Sequence, residues 1–356
     1  MPKQAAAQAG RSPWVRLWQG KHGLVLQALA FLPLLALLIY LTLRHVDFSA
    51  LGSSLQATNW GWVAAALTVS LASHVVRAWR WQGQINQLHV HITLWDAFYA
   101  VVLGYNANML VPRGGELLRC ALVARQKHLS FDRTFGTLMA ERIFDFLMFL
   151  LLTLVAVGLS LTSFGGFLWH EVLHPFLTSL ATSTWIGLSL ALLAVILGSI
   201  GFYWALVSNL LGRRLKIRTL RAMRGFTQGF NTMLRAQHPW ALLFQTVLLW
   251  LLYWLATHLF CLALPATAHL TPRTSFTLLV VGTFGILIPV QGGIGAYHYA
   301  VMLWLLVVGL SREDGLAYAT LAHGAQAINL LIVFLLLMLI RRIAQRRLET
   351  KAPMQA

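Results

Sequence analysis

Residues 106–119 read NANMLVPRGGELLR, where a proline, two glycines, a glutamate and two arginines interrupt a strongly apolar region. Pro112 lacks a backbone donor and disfavours helix at the residue before it, while Gly114 and Gly115 reach the positive φ values of a tight reversal. A second interruption, PVQGGIGAYH at residues 289–298, sets Pro289 ahead of Gly292, Gly293 and Gly295. LVPRGGE and LIPVQGG share a proline followed closely by Gly-Gly, offset by one residue. Each interrupted segment, near 94–124 and near 274–308, reads as two helical arms joined at a tip.

The surroundings of these tips are membrane-like. Hydrophobic residues make up 58% of the chain and charged residues 10%, with a mean hydropathy of +0.69, values outside the range of ordinary globular domains. Leu24–Leu43, Trp60–Val76, Ile143–Leu161, Trp185–Leu210, Trp240–Leu264 and Leu316–Ile340 are apolar runs near the length that crosses about 30 Å of hydrocarbon as helix. No small-residue cleavage site follows the first run, which is read as a retained span rather than a signal peptide. Cys120 and Cys261 both lie in apolar sequence, which gives neither a disulfide framework nor zinc-ligand spacing.

The formal charge of +17 is explained by sidedness rather than by nucleic acid. Basic residues cluster in 1–23, at Arg77 and Arg80, in Arg125–Arg133, in Arg213–Arg235 and in 341–356, whereas only Arg44, Arg273 and Arg312 fall on the opposite side. That asymmetry puts both termini in the cytoplasm and makes each interrupted segment a re-entrant hairpin. The alternative is a pair of kinked full spans in each region. Irregular backbone at membrane depth is tolerated only beside protein or water, so the tips should line a cavity. The segments run in opposite senses, the pattern of an inverted-topology repeat, in which paired Gly/Pro interruptions point to a transporter's substrate site.

Glu116, Glu141 and Asp145 lie in hydrophobic sequence together with Arg113, Arg119 and Arg142. A charge at the bilayer centre costs roughly 3 kcal/mol or more, so these groups need partners. In ERIFDF, Glu141 and Asp145 share one helix face, and Arg113 and Arg119 are the expected partners, with Asn106 and Asn108 adding neutral groups. Such a network is either a ligand site or a purely structural clamp. The second half offers Gln291, Tyr297 and His298 near its tip, then His323, Gln326 and Asn329. The histidines are candidate proton carriers or packing residues. No metal site and no cofactor is expected, and GGIGAY lacks the βαβ surroundings of a dinucleotide loop.

On these motifs the chain resembles the flippase-like family typified by the membrane domain of lysylphosphatidylglycerol synthetase, from about Leu24 to Ile340. NANMLVPRGGELLR is similar to its Asn…Leu-Pro-x-x-x-Gly-Glu-x-x-Arg segment, ERIFD to its Glu-Arg-x-x-Asp and PVQGGIGAYH to its Pro-x-x-Gly-Gly-x-Gly-x-x-Glu. The resemblance implies Asn106, Pro112, Gly115, Glu116, Arg119, Glu141, Arg142, Asp145, Gly292, Gly293 and Gly295 as signature positions. His298 departs from it, since glutamate is commoner there, so a cationic headgroup is not implied at the second tip. No long polar region follows Ile340, so what the resemblance implies is the translocating module without the soluble synthetase domain.

The sequence thus predicts an all-α integral membrane protein with six full spans and two opposed re-entrant hairpins in an inverted repeat. Residues 24–340 form one transmembrane domain between a basic cytoplasmic N-terminus (1–23) and a basic cytoplasmic tail (341–356). The basic linker at 212–239 is either an amphipathic helix on the anionic cytoplasmic leaflet or an ordinary loop. The expected function is translocation of a polar, phosphate-bearing lipid headgroup across the cell membrane. Arg113 and Arg119 would take the phosphate, with Asn106, Glu116, Glu141, Arg142, Asp145, Gln291, His298 and His323 around it. Partners are membrane lipids, phospholipid or lipid-linked phosphate, and no nucleic acid; small-residue faces such as Gly187–Ser199 are compatible with a homodimer. The alternative is a membrane-embedded transferase on a lipid-linked phosphate or sugar, with Glu141 or Asp145 as general base. Re-entrant tips predict that Val111→Cys is not labelled by an impermeant thiol reagent added outside intact cells; labelling there would establish two full spans instead.

Overall fold

The computed structural model describes residues 48–111, 114–174, 212–288 and 290–351, with isolated positions 40, 178, 189, 193, 197, 198, 201 and 204. Among them every regular element is helical. In chain order the α-helices are α1 (Phe48–Gln56), α2 (Trp60–Asn86), α3 (Leu94–Leu110), α4 (Gly114–Gln126), α5 (Phe131–Leu159), α6 (Gly212–Leu234), α7 (Pro239–Leu262), α8 (Pro272–Leu287), α9 (Ala296–Val307) and α10 (Arg312–Lys351), with short π and 3-10 turns at Leu161–Gly165, Leu168–Leu173 and Gln291–Gly293.

Four of these, α2, α5, α7 and α10 as far as Ile343, are long and apolar enough to cross a membrane, and they match four of the six expected runs. The other two, Leu24–Leu43 and Trp185–Leu210, lie outside the described residues apart from isolated positions. Much of the apolar surface of the four described spans faces outward: Leu154 on α5 is 70% exposed and Ile328 on α10 is 61% exposed. Outward leucine and isoleucine over whole helices is a surface for acyl chains rather than water.

Helix boundaries follow charge pairing as well as hydropathy. Helix α2 continues past Val76 through Arg77 and Arg80, and α5 begins at Phe131, ahead of its apolar run, so both carry their charged residues on regular helix. Each interrupted segment divides where proline and glycine predict. The arms of the first, α3 and α4, pack antiparallel: Gly104 lies beside Arg119 Cβ, and Gly115 N donates to Asn108 Oδ1 at 2.9 Å. Gly115 meets the Gly104 carbonyl so closely that a side chain there has no room. In the second, α8 and α9 pack through Gly282 and Gly285 against Tyr297, and α8 opens on Pro272 with Thr271 Oγ1 accepting from Thr274 N at 3.2 Å.

The chain divides into two compact units. One comprises Val75–Phe98 and Cys120–Leu251, and its chief packing is α5 against α6. Here the basic linker is resolved as the helix α6 rather than a loop. Gly229 fits against the Arg133 carbonyl and Gly136 against the Phe226 carbonyl, so the helices meet at backbone distance. The other unit comprises Met1–His74, Tyr99–Arg119 and Leu252–Ala356. Its described part is tied by Asn59 N to the Ala263 carbonyl (2.8 Å), Ser54 Oγ to Asp314 Oδ1 (2.8 Å), Ser70 Oγ to Gln326 Oε1 (3.2 Å) and Tyr318 Oη to the Thr257 carbonyl (3.1 Å).

Because no side chain fits between α5 and α6 at Gly229, Gly229→Leu is expected to destabilise the protein by about 1–3 kcal/mol, the cost of overpacking, read as a lower thermal midpoint in detergent. Gly158→Leu, which has open space around it, should leave the midpoint within the scatter of repeated wild-type melts.

Candidate functional site

The polar residues of the interrupted region fall into two groups, one in each unit. In the first, Arg77 and Arg80 on α2 present one face, and Glu141 and Asp145 on α5 present another. Trp81 Nε1 donates to Thr137 Oγ1 at 3.0 Å while Arg77 reaches Glu141, so rising numbers on α2 meet falling numbers on α5 and the helices run antiparallel. Arg77 Nη1 donates to Glu141 Oε1 at 2.5 Å and to Asp145 Oδ2 at 3.0 Å. Arg80 Nη2 donates to Asp145 Oδ1 at 2.6 Å and lies 3.5 Å from Glu141 Oε1, and its Nη1 reaches Thr246 Oγ1 at 3.2 Å. Arg142 bends back along α5, its Nη2 2.7 Å from Glu141 Oε1 and 3.4 Å from Asp145 Oδ2.

Three guanidinium groups thus surround two carboxylates. Taking an ion from water costs several kcal/mol even after relaxation, and only multiple charge-assisted hydrogen bonds offset that cost. The Glu141 and Arg80 side chains are fully buried, Arg77 nearly so, and Arg142, at 32% exposure, forms the accessible edge.

Arg77 and Arg80 were not among the partners expected from the sequence. Sequence reasoning gave the acidic face to Arg113 and Arg119 and counted Arg77 and Arg80 as cytoplasmic charges flanking a span. In the unit that holds the carboxylates the partners include Arg77 and Arg80, which are 5% and 1% exposed. Spacing within ERIFDF reveals the acidic face but not its partner, which lies 64 residues earlier. The available signal was the matching spacing: two arginines three apart after one apolar run, and two carboxylates four apart at the start of another.

The second group surrounds the tips. Pro112, Arg113 and Pro289 lie outside the described residues. Asn106 Nδ2 donates to the Val102 carbonyl (2.9 Å) and to the Leu330 carbonyl on α10 (3.2 Å), so it ties helices together. Asn108 closes the first tip through Gly115. Glu116 is half-buried in the first turn of α4, and Arg119 is buried at 4% exposure one turn on. At the second tip the backbone turns through Gly292, Gly293 and Gly295 at φ values of 57°, 76° and 81°, a conformation that favours glycine. A Cβ on Gly292 would stand 2.5 Å from Met109 Sδ, so residues from the two tips pack against each other.

Beside that contact lie three aromatic polar side chains. The His298 and His323 rings are 5.2 Å apart, and Tyr297 is 5.1 Å from His323 and 5.9 Å from His298. Gln291 Oε1 and His298 Nδ1 are buried and make no hydrogen bond among the described residues. Buried polar atoms left without partners cost about 1–3 kcal/mol each. No group of three or more metal-ligating side chains occurs among the described residues.

Known proteins give the context. Residues 25–347 match the family model described as the lysylphosphatidylglycerol synthase TM region. Over 137 residues the chain is 26% identical to UPF0104 membrane protein MJ1595 of Methanocaldococcus jannaschii, a match spanning 38% of this chain and 39% of that protein. The aligned part therefore covers well under half of that relative. No solved structure matches the chain.

If the carboxylates are held by guanidinium groups as described, Arg80→Met strands buried negative charge and should cost about 3–5 kcal/mol. Arg142→Met, at the exposed edge, should cost no more than about 1 kcal/mol. Thermal unfolding of the two variants in the same detergent checks the ranking.

Proposed function

Since the chain belongs to the lysylphosphatidylglycerol synthase TM-region family, we propose that it translocates a polar, phosphate-bearing lipid headgroup across the cell membrane, the acyl chains staying in lipid. The observation that carries this reading is the contact between the two glycine tips, Met109 against Gly292, beside the unpaired Gln291 Oε1 and His298 Nδ1. A headgroup rich in hydrogen-bonding atoms supplies what those atoms lack, and tips without side chains let backbone approach it closely. Six spans, two re-entrant hairpins and cytoplasmic termini are part of the same proposal, supported by the sidedness of the basic residues.

In this reading Arg113, at the first tip by sequence, takes the phosphate. Arg119 and Glu116 follow it on α4 within two turns. The Arg77, Arg80 and Arg142 cluster around Glu141 and Asp145 stiffens α2 against α5. That clamp disfavours the transferase alternative, because a general base needs a carboxylate free to take a proton, and both accept from guanidinium groups.

The test is reconstitution into vesicles containing fluorescent phospholipids, with a membrane-impermeant quencher added outside. Wild type should expose the inner-leaflet pool that stays protected in protein-free vesicles. Arg113→Ala with Glu116→Gln should slow that loss by about 10-fold or more, the kinetic equivalent of one charge-assisted hydrogen bond. Unchanged protection with wild type across a panel of lipids, or a covalently altered lipid in the mass spectrum, would overturn the reading.

A further inference from the structure

Helix α6 has two unlike halves. Over Gly225–Met233 it is fixed to α5, with Gly225, Gly229, Thr232 and Met233 buried and Gly229 set against the Arg133 carbonyl. Over residues 215–224 none of its side chains is buried. Arg218, Arg221 and Arg224 follow one another at three-residue spacing along one face and are all exposed. Leu220 and Met223, 39% and 50% exposed, lie away from that row beside Lys216, and Leu215, 51% exposed, stands one turn before Arg218. The helix contains no acidic residue. After four intervening residues, at Pro239, begins α7, a helix long and apolar enough to span, with Trp240 80% exposed in its first turn. Tryptophan at the end of a span marks the level of the lipid headgroups.

We propose that residues 215–224 are a binding site for anionic phospholipid. Arg218, Arg221 and Arg224 hold headgroup phosphates of the leaflet from which α7 enters the membrane, and Leu220 and Met223 dip into the acyl boundary, with the Lys216 ammonium reaching back to the headgroups. The occupant follows from the combination of features: a soluble acidic partner satisfies the arginines and leaves the leucines wet, whereas a leaflet satisfies both faces at once. The proximity of the span fixes the depth. Anchoring α6 to α5 through glycine contacts presents this half as a rigid lipid-facing arm.

The site can be examined without reference to lipid translocation. Met223→Cys, labelled with an environment-sensitive fluorophore, gives the readout, because Cys120 and Cys261 are buried. The full chain is placed in nanodiscs of phosphatidylcholine with or without phosphatidylglycerol, each carrying nitroxide-labelled lipid. The label should be quenched by the lipid nitroxide, and the chain should retain phosphatidylglycerol over phosphatidylcholine by about 10-fold on delipidation. Arg218→Gln/Arg221→Gln/Arg224→Gln or high salt should abolish that preference. An unquenched label, meaning that protein covers this face, or an undiminished preference in the glutamine variant, would overturn the proposal.

Discussion

The carboxylates of Glu141 and Asp145 have to be neutralised where they are buried, and the unit containing α5 is organised around that requirement. Arg77 and Arg80 on α2 and Arg142 on α5 itself converge on them. This pairing gives a physical reason why α2 stays helical beyond its apolar run and why α5 starts before its own. It also sets the register of the two helices, because moving either by one residue would turn its charges away from the partner face. Around this contact some polar groups are neutral and locally satisfied, as with Trp81 on Thr137 and Thr134 on the Cys120 carbonyl.

The second organising constraint is backbone proximity. Gly104 with Gly115, Gly136 with Gly229, and Gly282 and Gly285 with Tyr297 are places where helices or arms approach too closely for ordinary side chains. In lipid, where no hydrophobic force drives helices together, such close contacts are a principal source of association energy. At the tips the same lack of side chains has a further consequence: backbone and a few polar atoms, rather than bulky residues, face whatever enters. His298 beside His323 puts two imidazole rings in contact at the second tip.

Much of this was legible in the residues themselves. Pro112–Gly115 and Pro289–Gly295 announce chain reversals because proline and glycine act on the backbone locally, and the helices divide at those points. The long apolar runs announce four described helices for the same local reason. The carboxylate partners were not legible, because Arg77 and Arg80 end an apolar run and so read as loop charges until tertiary contact shows them buried. Helix α6 lay in between: its three-to-four spacing was visible, but only Gly229 and Gly225 against α5 show which half is packed and which is left open. The roles of Asn106 and Asn108, tying α3 to α10 and closing the first tip, likewise depend on partners distant in sequence or across a turn.

The proposed passage of a headgroup at the meeting tips is tested most directly by locking them together. Cysteines replacing Met109 and Ile294, both beside Gly292, can be joined by a short bifunctional thiol reagent with a reducible spacer, and lipid exchange between leaflets followed before and after reduction. The account predicts that exchange stops when the tips are joined and resumes when the link is cleaved. Exchange that continues unchanged with the tips joined would contradict it and place the lipid path elsewhere in the protein.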